Sequence, residues 1–105
     1  MNINIHSTTI ELTDAILKYA NKKVESLFKM LHTEDESISI ELKLNKISSG
    51  GGDTFKTEIN LYSKISSLHL SAKTDDLYEG IDAVKDEVLR SLRKEKTKLE
   101  RRRKI

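Results

Sequence analysis

Cysteine, proline and tryptophan are absent from this chain, glycine occurs only 4 times, and only 5% of the residues are aromatic. Without cysteine there are no disulfides and no thiolate metal sites. Without proline, long regular elements with short connections are expected. With so few rings the core has to be aliphatic, and no aromatic platform for stacking splayed-out bases can be assembled. No apolar run is long enough to span a bilayer. The N-terminus has no charged stretch followed by an apolar segment of the kind that directs secretion. These absences fit a cytoplasmic protein with no membrane partner.

What is present is charge and aliphatic pattern. Charged residues make up 34% of the 105 and hydrophobic residues 36%, a balance that supports one globular domain rather than disorder. The net charge of +2 hides an asymmetry. Residues 85–105 hold ten Lys/Arg against four Asp/Glu, a net of +6, whereas residues 1–84 hold nine against thirteen, a net of −4. A basic end on an acidic body points to an anionic partner. The plainer reading is a solvated helix end, where cations also favour the dipole.

Periodicity sets the elements. Asn2-Ile3-Asn4-Ile5-His6 alternates and predicts a short strand with one buried face. A helix is predicted over residues 14–31, with Thr13 as N-cap, Leu12 and Leu17 at staple spacing, and a core stripe of Ile16, Ala20, Val24, Leu27 and Leu31. Lys18, Lys22 and Lys29 fall on its opposite side and Lys23 borders the stripe. After a polar loop at 32–36, residues 37–47 alternate with Ile38, Ile40, Leu42 and Leu44 inward. The Ser48–Asp53 stretch, with three glycines, predicts a hairpin loop. Strands follow at about 54–64 (Phe55, Thr57, Ile59, Leu61 inward) and, after a turn near 64–66, at 67–73 (Leu68, Leu70, Ala72 inward). A second helix starts near Asp76, with Asp76 and Glu79 at capping-box spacing and Leu77, Ile81, Val84, Val88 and Leu92 toward the sheet. It is predicted to run to about residue 103 and to overhang the strands, at about 1.5 Å rise per residue. The order β-α-β-β-β-α, with one aliphatic sheet face for both helices to cover, gives an α+β two-layer sandwich: a four-stranded sheet with two helices on one face.

The same sequence offers little to an enzyme. His6, His32 and His69 have no partner at metal-ligand spacing. Gly50–Gly52 lacks the lysine of a phosphate-binding loop, no Gly-x-Ser-x-Gly elbow occurs, and Glu34-Asp35-Glu36 lacks the ligand spacing of a calcium loop. The expectation is a non-enzymatic protein with no cofactor, no metal and no small-molecule substrate. The second helix offers more to a polyanion. Arg90, Lys94 and Arg101 fall at i, i+4 and i+11 and share an outward stripe, flanked by Arg93 and Lys98. Such a row can follow a phosphate backbone and gain affinity by counterion release. Asp86 and Glu87 interrupt it one turn earlier, and Asp86 has the i, i+4 spacing to pair with Arg90. With Phe55 inward and Tyr19, Tyr62 and Tyr78 scattered, binding would be led by phosphate contacts and shape, as suits folded RNA.

At the start of the second helix, Asp76-Leu77-Tyr78-Glu79-Gly80-Ile81-Asp82 resembles the D-[ML]-Y-x-A-I-D signature of the ribosome hibernation-promoting factor family, also known as ribosome-associated inhibitor, protein Y or sigma-modulation protein. The opening Asn2-Ile3-Asn4-Ile5 with Leu12-Thr13-Asp14-Ala15-Ile16 is similar to the family's N-terminus, and the element order agrees along the whole chain. The resemblance implies a fold like a double-stranded-RNA-binding domain with an added strand. It implies partners in the small ribosomal subunit, its RNA and the 70S ribosome, with binding over the messenger and transfer RNA sites, inhibition of translation and protection of idle ribosomes under stress or in stationary phase. By this resemblance Lys23 matches a first-helix lysine, Arg90 the arginine of an R-x-L segment, and Lys94, Lys96 and Lys98 a lysine-rich continuation, all as contacts to ribosomal RNA. Lys22, Lys73 and Arg93 are secondary candidates, and Arg101 extends the stripe.

Three positions depart from the family pattern: Ser26 and Glu87 stand where lysine is frequent, and Gly80 replaces the usual alanine. Ser26 and Glu87 remove two expected cations from the basic face. Residues 1–105 read as one ribosome-binding domain, with about 96–105 a basic helical extension or flexible tail. Nothing resembles the C-terminal domain by which long members pair ribosomes, so the chain looks like a short form or the N-terminal part of a long one. The rival readings are a protein-interaction regulatory module that does not bind ribosomes, and a generic RNA binder indifferent to them.

Overall fold

The strand–helix–strand opening and the three-strand meander fold into one mixed sheet with a helical layer on it. The computed structural model describes residues 2–31, 38–48, 53–63 and 67–103, and within its helices and strands the side chains of all but 28, 30, 31, 48, 53 and 95–103. The elements are β1 (Asn2–His6), α1 (Asp14–Leu31), β2 (Ser39–Ser48), β3 (Asp53–Tyr62), β4 (Ser67–Thr74) and α2 (Leu77–Arg103). They bear out the expected α+β fold. The loop at 32–36, the tip of the glycine hairpin, the turn at 64–66 and the core role of Leu31 lie outside the described residues.

The spatial strand order is β1-β2-β3-β4. β1 pairs parallel to β2, with Ile3 opposite Ile40 and Ile5 opposite Leu42. The remaining pairings are antiparallel. Parallel strands need a crossover, and α1 supplies it. β4 therefore runs in the direction of β1 and β2. α2 turns back immediately after β4, so the two helices lie side by side and point the same way.

Local chemistry sets the helix ends. The Ile16 amide donates to Thr13 Oγ1 at 3.3 Å, and the Leu17 amide donates to the Thr13 carbonyl at 3.0 Å, which caps α1 as predicted. At α2 the Tyr78 amide donates to Asp76 Oδ1 at 2.8 Å, one residue earlier than the predicted box, and Thr74 Oγ1 donates to the Asp76 carbonyl at 2.6 Å. Between β1 and α1, Asn45 Oδ1 at the far end of β2 accepts from Ser7 Oγ (3.1 Å) and the Thr8 amide (3.0 Å), and this ties the incoming loop to the sheet.

Alternation and helical periodicity converge on one core. Ile40, Leu42, Leu44, Ile59 and Leu61 from the sheet meet Ala20, Val24 and Leu27 of α1 and Ile81, Val84 and Val88 of α2. Leu89 is also buried, although it lies off the sheet-facing stripe. It turns toward α1, so contact with a second helix widens the apolar face that α2 must bury. Gly80 has a packing reason. A Cβ there would collide with the buried Thr57 Oγ1 and lie 3.1 Å from Thr74 Oγ1. Thr57 is fully buried, and its hydroxyl has no hydrogen-bond partner among the described residues. The room that alanine would fill in the helix is taken by a side chain of the strand beneath it.

Candidate nucleic-acid interface

With one sheet face committed to the core, the molecule presents two outer surfaces: the backs of the helices and the open face of the sheet. On α1, Lys18, Lys22 and Lys29 are exposed at spacings i, i+4 and i+11. On α2, Arg90 and Lys94 are exposed at the matching i and i+4 positions, and Arg93 is exposed beside them. Packed helices lie about 8–10 Å apart axis to axis. Because these two run in the same direction, their outward cations form neighbouring rows on one surface. Among the described residues, Lys18, Lys22, Lys29, Arg90 and Lys94 make no ion pair. The anticipated Asp86–Arg90 pair is replaced: Asp86 Oδ1 sits 3.2 Å from Lys85 Nζ, which leaves Arg90 without that counter-charge.

Lys23 stands apart from those rows. It lies on the seam between the helices, with Nζ 3.4 Å from Asp82 Oδ1 and 5.3 Å from the centroid of the Tyr19 ring. The Tyr19 hydroxyl donates to both Asp82 carboxylate oxygens at 2.9 Å, and its ring meets Tyr78 edge-on with centroids 4.8 Å apart. Partial burial, and then the hydrogen bond to Asp82, hold the Tyr19 phenol above its usual pKa, so it stays a neutral donor at physiological pH. This cluster joins residues 63 positions apart, and no periodicity in the chain announces it.

The open sheet face is built differently. Lys43 Nζ lies 3.7 Å and His6 Nε2 3.5 Å from Glu41 Oε1, Lys56 Nζ lies 2.9 Å from Glu58 Oε1, and His69 Nδ1 is hydrogen-bonded to Asn60 Oδ1. The hydrogen bond from Lys56 holds the Glu58 carboxyl below its ordinary pKa, outweighing partial burial, with Lys43 and His69 helping. Tyr62 is half exposed here, as its strand parity predicted.

The structure thus brings Lys22, Lys23, Arg90, Arg93 and Lys94 together on the helical layer. It does not bring Lys73 to them: Lys73 is on the open face of β4, opposite Lys56 in register. Lys96, Lys98 and Arg101 are carried by the same α2 backbone, but their side chains lie outside the described ones. Lys18 and Lys29 were legible as members of the α1 outer row but were not among the candidate contacts. The signal that adds them is the equal spacing of the two rows, which matters only once the helices are known to be neighbours. No helix among the described residues is long and apolar enough to cross a membrane.

Comparison with known proteins fits this geometry. Residues 3–100 match the family model described as sigma 54 modulation protein / S30EA ribosomal protein. Over 103 residues the chain is 31% identical to the ribosome-associated factor Y of Haemophilus influenzae, covering 98% of this chain and 90% of that protein. It is 26% identical over 102 residues to the ribosome hibernation promotion factor of Staphylococcus aureus. That match covers 97% of this chain and 52% of the relative, so the chain spans about half the length of the staphylococcal factor. Among solved structures, a ribosomal subunit interface protein from Coxiella burnetii superposes with a TM-score of 0.75 at 18% identity, covering 92% of this chain and 99% of that one. The protein Y N-terminal domain of Thermus thermophilus gives 0.73 at 24% identity, covering 90% and 98%. These two establish the likeness of fold, and the match to the family model over nearly the whole chain establishes the kinship: this chain belongs to the sigma 54 modulation protein / S30EA ribosomal protein family, whose members are non-enzymatic.

Proposed function

We propose that this chain is a cytoplasmic ribosome hibernation factor that docks its helical layer on the RNA of the small subunit, over the messenger and transfer RNA sites, and so inhibits translation and stabilises idle ribosomes under stress or in stationary phase. The observation that carries the reading is the two neighbouring rows of exposed cations, Lys18, Lys22 and Lys29 beside Arg90 and Lys94, none of them ion-paired among the described residues. Family membership and the names of the two curated relatives, a ribosome-associated factor and a ribosome hibernation promotion factor, supply the partner class. Aligned cations suit a phosphate backbone, and their affinity comes from counterion release. The contacts are Lys22, Lys23, Arg90, Arg93 and Lys94, continued along α2 by Lys96, Lys98 and Arg101. Lys73, on the opposite surface, is outside them. The chain acts as one ribosome-binding unit, with residues beyond about 96 as its basic extension.

Phosphate contacts position a protein without reading sequence. Selectivity for the ribosome therefore comes from shape: RNA helices that accept two rows of charge set by helix packing. Co-sedimentation with purified 70S ribosomes and separated subunits across a salt series tests the proposal. Salt-sensitive binding to the small subunit that Arg90→Glu/Lys94→Glu abolishes is the expected result. No binding to any ribosomal particle at low salt would reject it in favour of a protein partner, and equal affinity for free duplex RNA would reduce it to generic RNA binding.

A further inference from the structure

Among the described residues, Lys18, Lys22, Lys29, Arg90 and Lys94 on the backs of the helices make no ion pair, but Lys23 is held. Its ammonium is gripped by the Asp82 carboxylate at 3.4 Å and faces the Tyr19 ring at 5.3 Å, within cation–π range. The carboxylate is itself oriented, because the Tyr19 hydroxyl bonds to both of its oxygens and the Tyr19 ring is braced edge-on by Tyr78. We infer that Asp82 is a positioning residue for RNA binding, one that fixes the Lys23 ammonium at the seam between α1 and α2 where a phosphate is to be received. The inference rests on the RNA-docking function proposed above.

Two effects of Asp82 oppose each other. Its negative charge repels a phosphate brought near Lys23. Against that, a lysine already held in one rotamer loses little freedom on docking, whereas an unrestrained one must be immobilised at the interface. Asp82 and Lys23 are both partly exposed, so water and salt screen the repulsion. The same screening weakens the grip on Lys23, but the carboxylate is fixed by the Tyr19 hydroxyl and the ammonium also faces the Tyr19 ring, so the ordering persists. An ammonium also has three donors, and the carboxylate engages one, which leaves two for a phosphate. The ordering therefore wins, and the carboxylate helps to bind an anion.

That conclusion reverses the sign expected from charge alone. Asp82→Asn keeps an oxygen to accept from Tyr19 but removes the charge that grips Lys23, and it raises the net charge of the chain from +2 to +3. Affinity of the full chain for purified small ribosomal subunits is to be measured at fixed salt for wild type, Asp82→Asn, Lys23→Ala and the double variant, with the thermal midpoint of each recorded alongside. Positioning predicts that Asp82→Asn binds about three- to tenfold more weakly despite its added positive charge. It also predicts that the same substitution costs nothing in the Lys23→Ala background, and that Asp82→Glu restores part of the loss. A role confined to stapling the helices would give the same loss with or without Lys23, and that result overturns the inference. Binding by Asp82→Asn as tight as wild type, or tighter, also overturns it while leaving the proposed function intact. Failure of the wild type to bind small subunits overturns both.

Discussion

On the open face of the sheet, Lys43 stands 3.7 Å from Glu41 and Lys56 2.9 Å from Glu58; on the backs of the helices, Lys18, Lys22, Lys29, Arg90 and Lys94 make no ion pair among the described residues. Both surfaces carry cations on regular elements. The strands set Lys43 opposite Glu58 in register and put Glu41 and Glu58 two residues along the strand from Lys43 and Lys56. The helices set their cations in rows of like charge. Exposed salt bridges contribute little to stability, about 0–1 kcal/mol, so the main consequence of the sheet pairs is a neutralised face. Rows of like charge repel one another, a cost that a polyanionic partner relieves. Composition cannot separate these cases, because a net charge of +2 is the sum of both.

The two surfaces share one core, and the largest expected effect is the loss of both together. Leu42 is fully buried beneath the helices, and Leu42→Ala should destabilise the fold by about 3 kcal/mol, read as a lower denaturation midpoint. Binding should fall only as far as the unfolded fraction rises. A smaller effect separates packing from docking. Gly80→Ala gains up to about 1 kcal/mol of helix propensity but places a methyl against Thr57 Oγ1, and the net result should be a loss of about 1 kcal/mol. Adding Thr57→Ala empties that space, so in the double variant alanine at position 80 should be neutral or stabilising. Neither substitution should alter the salt dependence of ribosome binding. A change there would mean that the helical rows are not independent of the seat of α2 on the sheet.

Most of the fold was legible because each element follows a simple period. Strict alternation marked Ile40, Leu42, Leu44, Ile59 and Leu61 as inward, Thr13 and Asp76 marked both helix starts, and all of these are borne out. Most of what the chain did not disclose depends on contacts between elements distant in sequence. Leu89 is buried because α1 lies against that side of α2. The Tyr19–Asp82–Lys23 cluster exists only because the two helices run side by side. Lys73 read as a secondary candidate, and the strand pairing places it on the other surface, opposite Lys56. Asp86 has the spacing to bond Arg90, yet the neighbouring Lys85 reaches it first.

The smallest expected effect belongs to the neutralised face. The Glu58 pKa is lowered in the folded state, so its contribution to stability is present above the unfolded value of about 4.3 and is lost as pH falls through the folded value. Glu58→Gln should flatten the acid end of the stability curve by a few tenths of a kcal/mol, since the pair is partly solvated. Denaturant midpoints between about pH 2 and 6 would show it, and ribosome binding at neutral pH should be unaffected.

The central claim is that a partner reads the unpaired cations of the helices and not the paired cations of the sheet. Its most direct test is the salt dependence of binding to purified small ribosomal subunits for two matched neutralisations, Arg90→Gln/Lys94→Gln on the helical face and Lys43→Gln/Lys56→Gln on the sheet. Each phosphate contact contributes about 0.7–0.9 to the slope of log affinity against log salt. The helical pair should lower that slope by about 1.4–1.8 while the sheet pair leaves it unchanged. Equal reductions in both, or a reduction only in the sheet variant, would contradict the account.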